Sequence, residues 1–282
     1  MSSNSLAAEH PDGLPIPRRT WAVFTIAIGL IMAVMDGAIA NVALPTIAKD
    51  LHASPAFSIW IVNGYQLAIT ISLLPLASLG EIFGYRRVYL AGLALFTIAS
   101  LLCAFSDSLA GLAIARVVQG FGAAGIMSVN SALVRFIYPH RILGRGIGIN
   151  AFVVAVSAAL GPTLASAILA VGDWPYLFAV NIPFGVVALA IGMRALPHSP
   201  RKLHPFDWQS ALASAATFGF AIGAIDSLGH GAAPHVYLAE AAIAVLAGIL
   251  LVRRQSGSAA PLLPLDLLRI PIFTLSVCSS IA

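Results

Sequence analysis

Arg116 is an isolated charge in an otherwise apolar stretch. From Leu109 to Val134 the chain carries no other charged residue for 26 residues, enough to cross about 30 Å of hydrocarbon as a helix. An arginine near the middle of such a helix costs roughly 2.5 to 3.5 kcal/mol on insertion scales. Such a costly residue is either a structural arginine that ties helices together or a functional charge, and both interpretations stay open.

Two amides favour the functional interpretation. Gln119 and Asn130 follow Arg116 at offsets of 3 and 14 residues. At about 100° per residue these offsets place the three side chains within about 60° of one another on a helix. The opposite side carries small residues that let another backbone approach closely, namely Gly120, Ala124 and Gly125. The sequence therefore predicts one polar face and one packing face.

Asp36 is the expected counter-charge of Arg116. It interrupts the apolar stretch from Trp21 to Leu44, and counting along both helices places the two residues at similar depth in the outer half of the membrane. Opposite charges inside a membrane are expected to neutralise each other. The pair is either a static ion pair or a carboxylate that exchanges a proton, and the sequence alone leaves both open.

Further amides lie on faces of other apolar stretches. In the second stretch Asn63, Gln66 and Thr70 share a face at offsets of 3 and 7. Side chains of this kind could line a path for a polar or cationic substrate. The candidate substrate-pathway residues are Asn41, Asn63, Gln66, Gln119, Asn130 and Asn150.

The composition of two segments is typical of regions that change conformation. The turn after the second stretch, LASLGEIFGYRRVYL, contains Glu81, Gly84, Arg86 and Arg87. It is either a conformational switch or a tight turn with flanking arginines. In the fifth stretch Gly161 and Pro162 lie in mid-helix, where proline removes a backbone hydrogen bond and kinks the helix. That segment is either a hinge or a packing site.

The composition identifies the class of protein that must position these residues. Of its 282 residues 59% are hydrophobic and 9% are charged, whereas soluble domains carry about 25% charge. The sequence therefore predicts an all-α polytopic membrane protein. Although the net charge is +4, the basic residues lie in the connections, so no nucleic-acid partner is expected. Cys103 and Cys278 lie in apolar stretches, and no metal or cofactor is expected.

Eight apolar stretches are long enough to span a membrane, and a ninth begins. Their approximate limits are Trp21 to Leu44, Phe57 to Leu79, Val88 to Phe105, Leu109 to Val134, Gly146 to Val171, Tyr176 to Leu196, Trp208 to Leu228 and Val236 to Val252, with the ninth from Phe273 to Ala282. The ninth has only about half the residues that a crossing needs.

The connections predict the orientation. Thirteen basic residues lie in connections on the side of the amino terminus and Lys49 alone lies on the other, so the positive-inside rule places the amino terminus in the cytoplasm. The thirteen are Arg18, Arg19, Arg86, Arg87, Arg135, Arg141, Arg145, Arg194, Arg201, Lys202, Arg253, Arg254 and Arg269. We expect a multi-pass protein of the cell (inner) membrane.

Four motifs resemble the major facilitator superfamily, and within it the 14-helix drug:proton antiporter branch. They are MDGAIANVALP from Met35 to Pro45, LAIARVVQGFGAA around Arg116, GPTLAS from Gly161 to Ser166, and GDWPYLFAVNIPFG from Gly172 to Gly185. The resemblance covers essentially the whole chain. It implies that Asp36 occupies the acidic position of the first-helix signature and that Arg116 takes part in proton transfer.

The chain departs from the family pattern in two places. In the turn after the second span, the family has a glycine, an aspartate and two arginines. The residues at these positions here are Ala77, Glu81, Ile82 and Tyr85. In the fifth span, Ala165 and Ser166 replace the usual pair of glycines. Both of these replacements are small, so close packing is still expected there.

The resemblance also implies a domain organisation. It predicts a cytoplasmic tail (1–20), an amino-terminal six-helix bundle (21–196), a cytoplasmic linker (197–207), an extra two-helix insert (208–252), and a linker with the truncated start of a second bundle (253–282). Such transporters bind substrate between two bundles. We therefore expect activity to need the missing carboxy-terminal half or a second chain.

The leading function is proton-coupled efflux of amphipathic or cationic organic compounds. Its partners would be the organic substrate, protons and the lipid bilayer. The alternative is a non-transporting membrane fragment, sensor or assembly partner derived from a transporter. An enzyme is not expected, because no constellation of His, Cys or paired carboxylates lies within the predicted spans.

Overall fold

The structure is a computed structural model that describes residues 12–202, 205–255 and 270. It confirms the all-α fold with eight helices of membrane-spanning length. They are α1 (Arg18–Asp50), α2 (Trp60–Phe83), α3 (Tyr85–Ala104), α4 (Leu109–Ile137), α5 (Leu143–Val171), α6 (Pro175–Ala195), α7 (Trp208–Gly229) and α8 (Pro234–Gln255). The predicted tail up to residue 11, Cys278 and the ninth stretch from Phe273 to Ala282 lie outside the described residues.

The helix limits differ from the apolar stretches by a few residues at most ends, and three differences are structural. α1 continues beyond Leu44, passes through Pro45 and ends at Asp50. The more polar residues that follow the apolar stretch are therefore helical as well. A short helix, Pro55–Ser58, precedes α2. α6 consists of two segments, Pro175–Ala179 and Asn181–Ala195.

Glycines let α3 and α4 approach backbone to backbone. A Cβ atom added to Gly122 would lie 2.5 Å from the backbone nitrogen of Phe96, and one added to Gly125 would lie 2.8 Å from the Cα of Gly92. On the other side of α4, a Cβ on Gly120 would lie 2.5 Å from the carbonyl oxygen of Tyr65 in α2. The small residues of α4 therefore allow close packing, but on two sides and not on the single face predicted, because Gly120, four residues after Arg116, lies only about 40° from it around the helix. This packing holds α4 at the centre of the core.

The remaining helices surround this centre. α5 packs against α1, where a Cβ on Gly161 would lie 2.6 Å from the Cβ of Ala38. α5 stays helical through Pro162. α6 packs against α1 and α3, while α7 and α8 pack against each other and α7 packs against α2. α1, α2, α3, α4 and α6 thus enclose the space in which Asp36 and Arg116 meet.

Candidate functional site

Asp36 and Arg116 form a fully buried ion pair. The Nη1 atom of Arg116 donates a hydrogen bond to Oδ2 of Asp36, and both side chains are 0% exposed. The predicted pairing between the first and fourth membrane helices is therefore confirmed in the structure. Each charge offsets the desolvation of the other, as a buried pair must.

Two amides complete the shell of the carboxylate. The Oδ1 atom of Asp36 accepts a hydrogen bond from Nδ2 of Asn181 at 2.9 Å and another from Nε2 of Gln119 at 3.1 Å. With the arginine, three donors face one carboxylate. Because the donors come from α4 and α6 and the acceptor from α1, the network joins three helices.

Gln119 links this network to α3. Its Oε1 accepts from Nη1 of Arg116 at 2.6 Å, and its Nε2 lies 2.9 Å from the hydroxyl oxygen of Ser100. The thiol of Cys103, interpreted from the sequence as a packing residue, lies 3.5 Å from the same Oε1. Gln119 is itself completely buried, so in this structure its amide serves the ion pair.

The guanidinium group of Arg116 is held by α2 and by two aromatic rings. Its Nε donates to the carbonyl oxygen of Ile61 at 3.0 Å. Its Cζ lies 4.1 Å from the ring centroid of Tyr65 and 5.4 Å from that of Phe178, within range of cation–π attraction. Nη2 is buried without a hydrogen-bond partner among the described residues. Residues of three other helices, α1, α2 and α6, therefore contact the side chain of this one arginine on α4.

Sequence reasoning missed several members of this site. Asn181 is the most informative, because it is the one amide in the GDWPYLFAVNIPFG segment and could have been placed on the face of α6 that meets α1. Ser100, Tyr65 and Phe178 carried no comparable signal, since hydroxyl and aromatic residues in membrane helices usually pack without reacting.

The candidate pathway residues divide into separate groups in the structure. Asn130 donates to Oδ1 of Asn150 at 2.7 Å, joining α4 to α5. Asn41 donates to the carbonyl oxygen of Gly37 one turn earlier, at 3.0 Å, and its side chain is exposed, as is that of Gln66. Asn63 turns to α7, as its Nδ2 donates to the carboxylate of Asp226 at 3.1 Å.

The turn between α2 and α3 is joined to the linker that follows α6. Nζ of Lys202 contacts the Glu81 carboxylate at 2.8 Å, and the hydrogen bond with Glu81 raises the pKa of this lysine. The backbone nitrogen of Lys202 also donates to the carbonyl oxygen of Glu81 at 2.9 Å. Gly84, whose φ of +98° suits glycine, allows the chain to reverse there.

Neighbouring residues extend the contact between this turn and the linker. The backbone nitrogen of Tyr85 donates to the hydroxyl of Ser199 at 3.0 Å, and Arg86 contacts the ring of His198 at 2.6 Å and the carbonyl oxygen of Met193. The linker thus places a cation, Lys202, beside this turn. In the turn, Ile82 and Tyr85 stand at two positions where the family has arginines.

Within the described residues, no group of three or more His, Cys, Asp or Glu side chains is placed to hold a metal ion. The side chains around the buried ion pair supply a carboxylate, a guanidinium group and amides. These groups can exchange hydrogen bonds and a proton.

Comparison with known proteins decides the family. A profile described as Major Facilitator Superfamily matches residues 26–280. The chain belongs to this superfamily of transporters. A solved structure, that of a D-xylose-proton symporter, superposes with a TM-score of 0.54 at 13% identity over 75% of this chain and 69% of its own, which shows a shared fold.

Several bacterial relatives are similar in sequence. The uncharacterized transporter YebQ of Escherichia coli is 56% identical over 272 residues, covering 96% of this chain and 60% of its own. The tetracenomycin C resistance and export protein of Streptomyces glaucescens is 34% identical, covering 92% and 49%. The multidrug efflux pump LfrA of Mycolicibacterium smegmatis is 32% identical, covering 96% and 54%. This chain thus spans between about half and 60% of the length of these relatives.

Proposed function

We propose that the chain is the amino-terminal portion of a proton-coupled exporter of amphipathic or cationic organic compounds. Two of the relatives above are described as an export protein and an efflux pump, which supports the direction and the class of substrate. A second bundle, from further chain or from another subunit, would complete the transport path, in keeping with the greater length of the relatives.

The buried Asp36–Arg116 pair is the observation that carries the proposal. Protonating Asp36 would remove the charge that three donors face, and Arg116 would lose the anion that compensates its burial. The cost of an uncompensated arginine would favour a different packing of α1 against α4 and α6. The two conformations would then bind a proton with different affinities, which is what coupling requires.

Other candidate residues fit supporting roles in this cycle. The Asn130–Asn150 hydrogen bond joins α4 to α5, and Gly161 gives α5 close contact with α1. We propose that α5 moves against α1 and α4 around Gly161 and Pro162. The contacts of Glu81 with Lys202 and of Arg86 with His198, on either side of the turn at Gly84, would hold one of the two conformations.

Proton-driven transport by the full-length protein in sealed vesicles tests the proposal. We expect Asp36→Asn to abolish uphill efflux of a cationic dye and the proton flux that accompanies it. The matched control is Asp107→Asn, since Asp107 is an exposed carboxylate outside the helices and its removal should leave both fluxes intact. Coupled efflux by the Asp36→Asn protein would exclude the coupling role and leave a structural ion pair.

The orientation has its own test. We propose that the amino terminus is cytoplasmic, so an impermeant thiol reagent added to intact cells should label a cysteine placed at Ser106 or Gly231. A cysteine at Ser199 should react only after permeabilisation. The reverse pattern would invert the topology and, with it, the proposed direction of export.

A further inference from the structure

We infer that the groove between α1 and α6 binds an anionic glycerophospholipid. The groove has a volume of about 550 Å³ and is open at the surface of the bundle. Its walls are Trp21 from α1 and Ala190 and Ile191 from α6, and its rim carries Arg18 and Arg194. The site is separate from the buried ion pair and does not depend on the proposed transport activity.

The arginines at the rim are placed to bind a phosphate. Nε of Arg18 donates to the carbonyl oxygen of Ala195 at 3.1 Å and Nη2 to that of Leu196 at 3.4 Å, which fixes this guanidinium group over the end of α6. The structure describes no hydrogen bond or ion pair between Arg194 and any other described residue. None of the residues that line the groove is acidic. The rim therefore carries two positive charges with no acidic partner among the residues that the structure describes.

The position of the groove suits a lipid better than a soluble anion. Arg18 begins α1 and Arg194 lies one residue before the end of α6. Because Arg18 contacts the carbonyl oxygens of Ala195 and Leu196, both arginines lie on the same side of the bundle, at the helix ends where headgroups are found. Trp21 is 52% exposed, and tryptophan side chains prefer the membrane interface. Basic pockets between membrane helices recognise anionic headgroups. An apolar wall below two arginines matches an acyl chain below a phosphate.

A second groove provides a matched control within the same chain. It has a volume of about 500 Å³, lies among α2, α3 and α7, and includes Trp208 at its edge, but no arginine or lysine lines it. Trp208 is 70% exposed. Acyl chains should occupy this groove without a preference for the charge of the headgroup. Trp21 and Trp208 therefore report on two grooves that differ mainly in the rim cations.

Quenching of tryptophan fluorescence by brominated lipids tests the inference on the full chain. One variant keeps only Trp21 (Trp60→Phe, Trp174→Phe, Trp208→Phe) and the other keeps only Trp208 (Trp21→Phe, Trp60→Phe, Trp174→Phe). In phosphatidylcholine vesicles, brominated phosphatidylglycerol should bind near Trp21 about fivefold more strongly than brominated phosphatidylcholine, the effect of roughly one basic residue at a membrane surface. The two lipids should quench Trp208 to within about twofold.

Further variants tie the preference to the rim. Arg194→Gln should remove most of the preference at Trp21, whereas Arg253→Gln, an arginine at the end of α8 away from the groove, should leave it unchanged. Equal quenching of Trp21 by both lipids, or a preference that survives Arg194→Gln, overturns the inference. Relief of quenching by excess inorganic phosphate also overturns it, by showing a site for a small anion.

A measurement on the unsubstituted protein guards against misfolding of the tryptophan variants. A photoactivatable phosphatidylglycerol should label peptides that contain residues 17–21 and 190–195 in preference to a photoactivatable phosphatidylcholine. Equal labelling of these peptides by the two lipids counts against the site.

Discussion

Two pairs of helices in the described chain, α1 with α4 and α7 with α8, are buried to very different degrees. In the most apolar windows of α1 and α4, 56% and 61% of the residues are buried, whereas in α7 and α8 the shares are 17% and 11%. The first pair is enclosed by other helices, and the second pair meets the rest of the described structure chiefly through α2. α1 and α4 therefore form the core, while α7 and α8 lie at its edge.

The carboxylates of the two regions also have different surroundings. Asp36 is completely enclosed and faces an arginine and two amides. Asp226 in α7 has a side chain that is 36% exposed, accepts one bond from Asn63, and lies 3.5 Å from His230. Glu240 of α8 packs over Gly223. A charge in the core is thus fixed by many partners, and a charge at the edge by few, which predicts graded effects of substitution.

The largest effect should follow from Arg116→Ala. This change leaves Asp36 buried without its cation, and removing one partner of a buried pair costs about 3–5 kcal/mol. We expect the protein to insert but to unfold much more readily in mixed micelles containing sodium dodecyl sulfate. The full-length variant should also lose the proton-coupled transport that we propose. The double variant Asp36→Asn/Arg116→Gln removes both charges and should regain part of the lost stability. An Arg116→Ala protein of unchanged stability would remove the contrast between core and edge.

A second prediction compares two glycines in helix interiors. Gly122→Ala introduces a Cβ 2.5 Å from the backbone nitrogen of Phe96, and because backbone must move, we expect a destabilisation of about 1–3 kcal/mol. In Gly219→Ala on α7, the nearest atom to the new Cβ is Cγ2 of Ile71 at 3.6 Å. This change should stabilise the protein by about 0.5–1 kcal/mol, since glycine is a poor helix former. Equal unfolding midpoints for the two variants would contradict the packing argument.

Periodicity and charge were sufficient to predict the frame of this core. The uncharged 26-residue stretch around Arg116 defined α4, and the cost of burying one charge required another, which identified Asp36. The small residues of α4 predicted close helix packing, which α2 and α3 provide on two sides of it. These features follow from local pattern and from the energetics of the membrane, so sequence alone contains them.

The rest depends on which helices become neighbours. Asn63 shares a helical face with Gln66 in the sequence, yet it contacts Asp226, 163 residues away. Asn181 reaches Asp36 across 145 residues, and Lys202 reaches Glu81 across 121. No local pattern specifies such partners, because each depends on the packing of whole helices. The functional roles of these residues remain predictions.

The cap of α7 tests the edge region alone. Asp207 precedes α7 and accepts from the backbone nitrogen of Ser210 at 3.1 Å and from its hydroxyl at 2.6 Å. Asp207→Ala should cost about 1 kcal/mol, seen as faster amide hydrogen exchange in the first turn of α7. Asp207→Asn keeps a capping oxygen and is the matched control. Full protection of the first turn in the alanine variant would show that packing, not the cap, holds this end.

The same cap gives a defined pH dependence. The hydrogen bonds from Ser210 lower the pKa of Asp207 below its ordinary value of 3.8. A depressed carboxyl pKa contributes stability that is present above the unfolded-state pKa and is lost as the pH falls through the folded-state pKa. Protection of the first turn of α7 should therefore be constant near neutrality and fall below about pH 4. The Asp207→Asn protein should lack this acid step.

The smallest effect should come from the hydrogen bond that joins the edge to the core. Hydrogen bonds between membrane helices contribute about 0.6 kcal/mol on average in double-mutant cycles, so Asn63→Ala and Asp226→Ala should show a coupling of about that size. A coupling as large as that of the Asp36–Arg116 pair would mean that α7 is held as firmly as the core, and the contrast would fail. Transport by Asn63→Ala adds an independent readout, because a residue that merely attaches α7 should leave substrate preference unchanged. A changed preference at nearly unchanged stability would instead support Asn63 as part of the substrate pathway, reached when α7 moves away.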